Sequence, residues 1–210
     1  MANPEHVERL INGGVEEWNK FRRNSQSPQP DLSGADLSGY DFTGLNLSHA
    51  NLEGVDLSDA YLFRANLTEA DILEANFIKA NLSYATMVRV DLSATGLIAC
   101  NLEGVNLEGS NLTRASLPWA NLTDANLSKT KLHLTDLREA KLIHANLQGA
   151  SLQDTSLTGT NLQEANLLGA TNVSIDLLAK AKTLYLAQLD QELKDQLQKD
   201  HPHLFQAPAQ

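Results

Sequence analysis

The sequence predicts an all-β solenoid, a four-sided β-helix of about seven coils with short α-helical caps at both ends. The first observation is a five-residue period: an apolar residue stands at 28 consecutive fifth positions from Leu32 to Leu167, and 24 of these are leucine. The second is that the residue two positions before each of them is usually small, most often alanine. The third is that the other positions are rich in the turn formers Asn, Asp, Ser, Thr and Gly.

A period of five fits neither regular element, because a helix repeats its apolar residues about every 3.6 positions and a half-buried strand about every second position. It fits a short extended piece, with its apolar side chains facing inward, followed by a bend. Four such sides close a square of about 20 residues, and stacked squares pair their backbones about 4.8 Å apart. One stacked column is expected to form an amide ladder: Asn46, Asn66, Asn106, Asn126, Asn146 and Asn166.

The A(D/N)LXX units, such as GADLS and HANLE, resemble those of the pentapeptide-repeat proteins from about Asp31 to Ala170. The resemblance covers about two-thirds of the chain and implies a right-handed quadrilateral β-helix of about seven 20-residue coils. The right hand comes from the resemblance alone. The end segments LINGGVEEWNKFR and TLYLAQLDQELKDQL, with the HPHLF tail, are similar to those of cyanobacterial members.

The ends of the chain are expected to cover the ends of the β-helix, because an open solenoid exposes apolar layers and unpaired edges. We expect an N-terminal capping helix and loop over residues 1–30, the repeats over 31–170, and C-terminal capping helices and tail over 171–210. Asn3 and Pro4 start the first helix, and a loop follows from Ser25 to Pro30.

Two helices are expected after the repeats, starting from Ser174 and Asp190. The first is expected to carry one apolar face, made of Leu177, Leu178, Ala181, Leu184 and Tyr185. This face covers the last coil, or it pairs two chains. Both a monomer and a homodimer therefore stay open.

Composition excludes several classes of partner and site. A net charge of −10 disfavours binding to nucleic acid and to anionic membranes. No apolar run approaches the roughly 20 residues that cross a bilayer, and the N-terminus lacks a secretory signal pattern, so we expect a cytoplasmic protein. A single cysteine excludes an intramolecular disulfide and a multi-cysteine zinc site. Cys100 occupies a small inward position and is expected to be a buried structural thiol.

No catalytic or nucleotide-binding motif is present: the sequence lacks GxSxG, GxxxxGK[ST], HExxH and a GxGxxG that opens a helix. The histidines of the repeats fall on different faces or distant coils, and His201 and His203 flank a proline in the tail. Paired carboxylates would need an enclosed cleft, which a regular prism does not supply. We therefore expect no enzyme activity, no cofactor and no metal site.

Two surface features are candidate protein-interaction sites. One face of the early coils gathers an acidic patch, made of Asp31, Glu53, Asp71, Glu74 and Asp91. It is either a docking surface for a basic partner or a solvated face that keeps the rod soluble. Outward positions on the next two faces carry apolar residues: Ile78, Ile98, Pro118 and Trp119, then Tyr61, Phe63 and Tyr84. Clustered exposed apolar residues often mark contacts, although single ones are ordinary.

Two functions fit this architecture. The first is a non-enzymatic scaffold that binds a protein partner, not yet identified, through its flat faces. The alternative follows from the resemblance, since some members target gyrase in quinolone resistance, and implies a DNA mimic that inhibits or protects a type II topoisomerase. Residues 31–170 hold 17 acidic and 8 basic residues, whereas duplex DNA carries about 20 charges over about 34 Å. The net negative charge of these repeats is therefore less than half that of DNA of the same length, which favours the scaffold.

Overall fold

The computed structural model describes residues 1–24 and 29–207. The helices within these residues are α1 (Pro4–Arg23), α2 (Ile175–Leu178) and α3 (Gln191–Asp200), followed by a 3-10 helix, Pro202–Phe205. Between α1 and α2 the chain pairs through single-residue parallel bridges. Of the loop predicted from Ser25 to Pro30, residues 25–28 lie outside the described residues.

The bridges join residues twenty positions apart, from Asp31 with Asn51 to Ser151 with Thr171. Each bridge is held by backbone hydrogen bonds; the Leu32 N–H, for example, donates to the Asn51 carbonyl at 2.9 Å. Successive bridges are five residues apart, so one coil has four sides. We number them I to IV by the residues with which they begin, Asp31, Asp36, Asp41 and Asn46.

Every side ends in the same β-turn. In 26 of the 28 units the carbonyl of the central apolar residue accepts the N–H of the third residue after it, as Leu32 does from Ala35 at 3.0 Å. The residue before the end of this turn has positive φ in all 28 units from 34 to 169, and 19 of these residues are not glycine. The Asn or Asp at the bridge accepts the N–H two residues later, as Asn126 Oδ1 does from Ser128 at 3.1 Å. This local bond explains why Asn and Asp precede the central leucine.

The interior is filled by the central apolar residues and the small residues between them, which are buried. Most polar residues at these small inward positions donate a hydrogen bond to the main chain, whereas the buried Thr95 hydroxyl has no partner within the described structure. The hydroxyls of Ser110, Thr135 and Thr160 bond carbonyl oxygens 23 residues earlier at 2.7 to 2.8 Å. Cys100 Sγ contacts the Phe77 carbonyl in the same way at 2.8 Å. The prediction that Cys100 is a buried thiol is confirmed.

Helix α1 packs on the first coil and bonds its backbone. Trp18 is fully buried, and its Nε1 donates to the Asn46 carbonyl at 2.8 Å. Asn19 donates to the Gly44 carbonyl at 2.9 Å and accepts the Asn46 N–H at 2.8 Å. Gly14 interrupts the helix with a φ of 70°, which produces a kink. These bonds satisfy backbone groups at the end of the solenoid.

The C-terminal part departs from the predicted helix. Helix α2 has only four residues, after which Thr183 bridges to Asn161 and Gln188 to Asn166. The spacing is therefore 22 residues rather than 20, because the segment with α2 replaces one side and lengthens the coil. Leu184 is buried as a central residue, so its predicted place on a helix from Ser174 was wrong. The repeat geometry thus continues beyond residue 170.

Candidate interaction surfaces

The acidic patch lies on side I, where its carboxylates have two roles. Asp31, Asp71 and Asp91 stand at bridge positions, and each accepts the backbone N–H of the residue two positions later. The bond from the Ser33 N–H lowers the pKa of Asp31. Glu53 and Glu74 stand in the turns and are exposed. Among the described residues, none of the five carboxylates forms an ion pair.

One bridge is missing within this patch. Asp71 and Asp91 are stacked but unbridged, whereas all the other bridge-position pairs spaced by twenty between residues 31 and 171 are bridged. Stacked like charges repel. Asp36 and Asp56 are also stacked, yet the Ser38 hydroxyl donates to Asp36 at 2.7 Å and the pair is bridged. Asp71 accepts the Leu73 N–H at 3.3 Å, which stabilises its charge less.

Sequence reasoning missed the contribution of α1 to this side. Val7, Glu8 and Ile11 of α1 border a groove of about 810 Å³ whose other wall includes Glu53 and Glu74. The acidic patch is therefore flanked by a partly apolar helix. The helical face of α1 was recognisable in the sequence, but its placement beside side I was not.

The apolar surface on side II consists of Ile78, Ile98 and Trp119, all exposed. Ile78 and Ile98 stack in one column, and Trp119 lies in the next coil at the adjacent turn position. Trp119 is 65% exposed, the largest value among them. Pro118 was predicted to be outward, but it is buried. It stands in the turn column between Ile98 and Arg138, so residues on both neighbouring coils flank it.

The aromatic residues on side III form a smaller cluster. The rings of Phe63 and Tyr84 meet edge to face with centroids 5.7 Å apart, and Phe63 is half-buried. The Arg64 guanidinium lies 5.1 Å from the centre of the Phe63 ring. The Tyr84 hydroxyl donates to Glu103 Oε1 at 3.1 Å, and this bond raises the pKa of Tyr84. Tyr61 is 56% exposed on the same side.

Several histidines pair with carboxylates stacked on neighbouring coils. His144 lies between Asp124, 3.1 Å from Nδ1, and Glu164, 3.4 Å from Nε2. Sequence reasoning looked for pairs of histidines and missed these stacks, although the twenty-residue register contains them. Within residues 1–24 and 29–207, no set of three His, Cys, Asp or Glu residues is arranged to hold a metal ion.

The repeats match the family model for pentapeptide repeats in eight copies, over residues 29–59, 60–95, 100–138 and 135–171. These ranges cover more than half of the chain. The chain belongs to the pentapeptide-repeat family. Membership of this family supports the right hand of the predicted quadrilateral β-helix, which the sequence drew from resemblance.

Solved structures of other pentapeptide-repeat proteins are similar to this chain. HetL, from the cyanobacterium Nostoc sp. strain PCC 7120 and involved in heterocyst differentiation regulation, is 33% identical; the match covers 64% of this chain and 73% of HetL, with a TM-score of 0.38. QnrB1, a plasmid-mediated fluoroquinolone resistance protein, is 18% identical, with coverages of 85% and 92% and a TM-score of 0.40. Rfr23 from the cyanobacterium Cyanothece 51142 is 22% identical, with coverages of 75% and 89% and a TM-score of 0.27.

A comparison of this chain's sequence with curated proteins finds no significant match. Among the described residues, no helix combines the length and the hydropathy needed to cross a bilayer.

Proposed function

We propose that this pentapeptide-repeat protein is a non-enzymatic scaffold that binds a cytoplasmic protein through the apolar surface of side II, made of Ile78, Ile98 and Trp119. The observation that carries the proposal is the exposure of Trp119, at 65% of its surface, beside two exposed isoleucines. Tryptophan is among the residues that most often dominate the energy of protein interfaces. Burial of this group is favourable because it removes apolar surface from water.

The backbone at Trp119 supports a role outside the core. Its φ of 59° is the positive value shared by the turn residues, and its N–H donates to the Arg138 carbonyl at 3.0 Å. The backbone that carries the indole is therefore held in place by a hydrogen bond to the next coil. A contact on such a surface loses little backbone entropy on binding.

The interior supports a scaffold rather than an enzyme. Leucine and small side chains fill the tube, and most of the polar ones among them are bonded to backbone carbonyls. What the fold presents to a partner is therefore its outer sides. Ile78, Ile98 and Trp119, which would form the site, lie on turns carried by this framework, and binding residues are commonly found on such turns.

We also propose that the two ends are caps, which divides the chain into residues 1–30, 31–170 and 171–210. The bonds from Trp18 and Asn19 to the first coil support the N-terminal cap. Leu197 of α3 and Leu204 of the 3-10 helix are buried at the other end, which supports the C-terminal cap. The last coil also includes Thr183 to Leu189, so the C-terminal cap begins within the ladder rather than after it.

Affinity capture with wild type, Trp119→Ala and Leu134→Ala tests the interaction surface. Leu134 is a matched control, because it is 42% exposed and has the same turn position on side I. We expect a stoichiometric partner that wild type and Leu134→Ala retain and that Trp119→Ala loses, followed by direct binding of the purified pair. Light scattering of the same three proteins tests the homodimer. Identical partners and identical masses in all three would contradict the proposal.

A further inference from the structure

A second surface with different chemistry lies between α1 and side I. It is a groove of about 810 Å³. Helix α1 and the residue pair before it form one wall, and turns of the first three coils form the other. The lining includes Val7, Glu8 and Ile11 of the helix and Glu53, Gly54 and Glu74 of the turns.

The groove is open because two stacked turns lack side chains. Gly34 and Gly54 have positive φ, and a Cβ added at either would meet no atom within 4 Å. At the same turn position of side I, later coils carry longer side chains, such as those of Arg114 and Leu134. The third residue of this column is Glu74, whose exposed side chain lines the far end of the groove.

The lining combines apolar and acidic groups. Val7 is half-buried and Ile11 is exposed, so α1 presents a partly uncovered apolar strip. Glu8, Glu53 and Glu74 line the same groove; its lining within the described residues contains no lysine, arginine or histidine, and the N-terminal ammonium of Met1 is the cationic group among these lining residues. None of these three carboxylates forms an ion pair in the described part of the chain.

We propose that this groove binds a basic amphipathic segment of a partner protein. Its apolar side chains pack on Val7 and Ile11, and its lysines or arginines pair with Glu53 and Glu74. The apolar strip of the groove favours a bound segment with one apolar face. The unpaired carboxylates favour positive charge on the opposite face of that segment. This site is independent of the side II surface, so neither proposal depends on the other.

The carboxylates are exposed, so their contribution depends on ionic strength. Exposed charges are screened beyond about 8 Å at physiological salt. The complex is therefore expected to form faster and more tightly at low salt, with the apolar contacts remaining at high salt. A partner that carried charge alone would lose its binding as salt rises.

Fluorescence anisotropy with a synthetic probe tests the proposal. The probe is a fluorescein-labelled peptide of about 14 residues with lysines on one helical face and leucines on the other. A peptide of the same composition in scrambled order and an oligolysine of equal length are compared with it. Binding of the amphipathic peptide is measured to the full chain, to the groove variants and to matched controls.

The groove variants are the double charge reversal Glu53→Lys with Glu74→Lys, and Gly54→Arg, which fills the floor. Arginine is tolerated at this turn, because Arg64, Arg89 and Arg114 occupy equivalent positions with similar φ. Gly39→Arg is the control for filling, since it makes the same change on side II at a φ of 69° with open space around it. Glu192→Lys with Asp200→Lys is the control for charge, at the far end of the chain.

We expect the double charge reversal to weaken binding of the amphipathic peptide by about tenfold or more, the size expected from the loss and reversal of two surface ion pairs. Gly54→Arg should weaken it as well, because its side chain occupies the groove. The two controls and Trp119→Ala should stay within about twofold of wild type. Equal affinity for the scrambled peptide or for oligolysine would overturn the proposal, because charge alone would then explain the binding. Unchanged affinity in Gly54→Arg would overturn it as well.

Discussion

The ring of Tyr84 lies directly over the backbone of Gly104 on the next coil of side III. A Cβ added to Gly104 would stand 2.6 Å from Cδ1 and Cε1 of that ring. Gly104 also has a φ of 62°, the value common to all the turns. The glycine is therefore required here by a neighbour as well as by the backbone, in contrast to the many turns that carry other residues.

Replacing Gly104 with alanine should displace the Tyr84 ring. Gly54→Ala is the matched control, since Gly54 has a φ of 63° and no atom within 4 Å of an added Cβ. The control should lower the free energy of unfolding by about 1 kcal/mol, the cost of positive φ for an L residue. Gly104→Ala should cost more than the control, because the added Cβ displaces the Tyr84 ring and disturbs its bond to Glu103.

Urea unfolding of a double-mutant cycle separates these two effects. In a Tyr84→Ala background, Gly104→Ala should cost the same as Gly54→Ala, because the ring is gone. A cost for Gly104→Ala that does not change between the two backgrounds would contradict the packing relationship. The cycle requires no assumption about the worth of the aromatic pair itself.

Burial should make Cys100 unreactive in the folded protein. Loss of solvation raises the pKa of its thiol to about 12. Since the thiolate is the reactive form, native protein at pH near 8 should react with a disulfide reagent about three orders of magnitude more slowly than unfolded protein. The chain has one cysteine, so the labelling is unambiguous. Stoichiometric reaction of the native protein at the rate of a free thiol would contradict this.

The five-residue period was enough to predict the side chains that face inward. It identifies the central position in all 28 units, and these residues are buried in the structure. The reason is geometric, since each side places one central residue inside the tube whatever its neighbours are. The expected amide ladder is also present in part, as Asn126 donates to Asn106 at 3.0 Å.

Other features depend on contacts that the period does not encode. Pro118 is buried because of what stands in its column on adjacent coils, whereas its own unit has an outward turn. Thr183 bridges to Asn161 only because the last coil is two residues longer, and this extra length interrupts the five-residue period. The groove beside side I depends on where α1 lies relative to the turns of the first three coils. None of these follows from one unit alone.

The stability of the protein should fall in acid, because the fold stabilises the charged form of aspartates at bridge positions. The pKa of Asp36 is lowered by the Ser38 hydroxyl and that of Asp41 by the Thr43 hydroxyl. A group whose pKa is lower in the folded state stabilises the fold above its unfolded pKa, which is about 3.9 for aspartate. That contribution is lost as the pH falls through the lowered folded value.

Urea midpoints from about pH 7 to about pH 2 check this direction. The midpoint should change little down to about pH 5 and then fall. Asp36→Asn with Asp41→Asn is the informative variant, because an amide oxygen accepts the same N–H without titrating, as Asn126 does. Its decline in acid should be shallower than that of wild type. Parallel curves for the two proteins would rule out a role for these carboxylates.

Replacing Asp91 with asparagine should close the gap in the ladder on side I. The stacked pair Asn111 and Asp91 shows the favourable arrangement, in which the later residue donates its amide to the carboxylate at 3.0 Å. Asn76 donates to Asp56 in the same way at 3.1 Å. Asn at position 91 would donate to Asp71 and remove one of two repelling charges. We expect the free energy of unfolding to rise by about 1 kcal/mol.

Asp71→Asn is the matched control, because it removes the same amount of charge, but by the same pattern its amide would donate to Asn51 on the preceding coil rather than to position 91. It should therefore leave the gap between positions 71 and 91 open. Hydrogen exchange gives a local measurement, since the Ile72 N–H should exchange more slowly once the bridge forms, while that of Leu52, already bonded to the Asp71 carbonyl at 2.7 Å, should change little. Equal slowing of Ile72 exchange in the two variants would show that charge removal alone closes the gap, and no slowing in either would show that the gap has another cause.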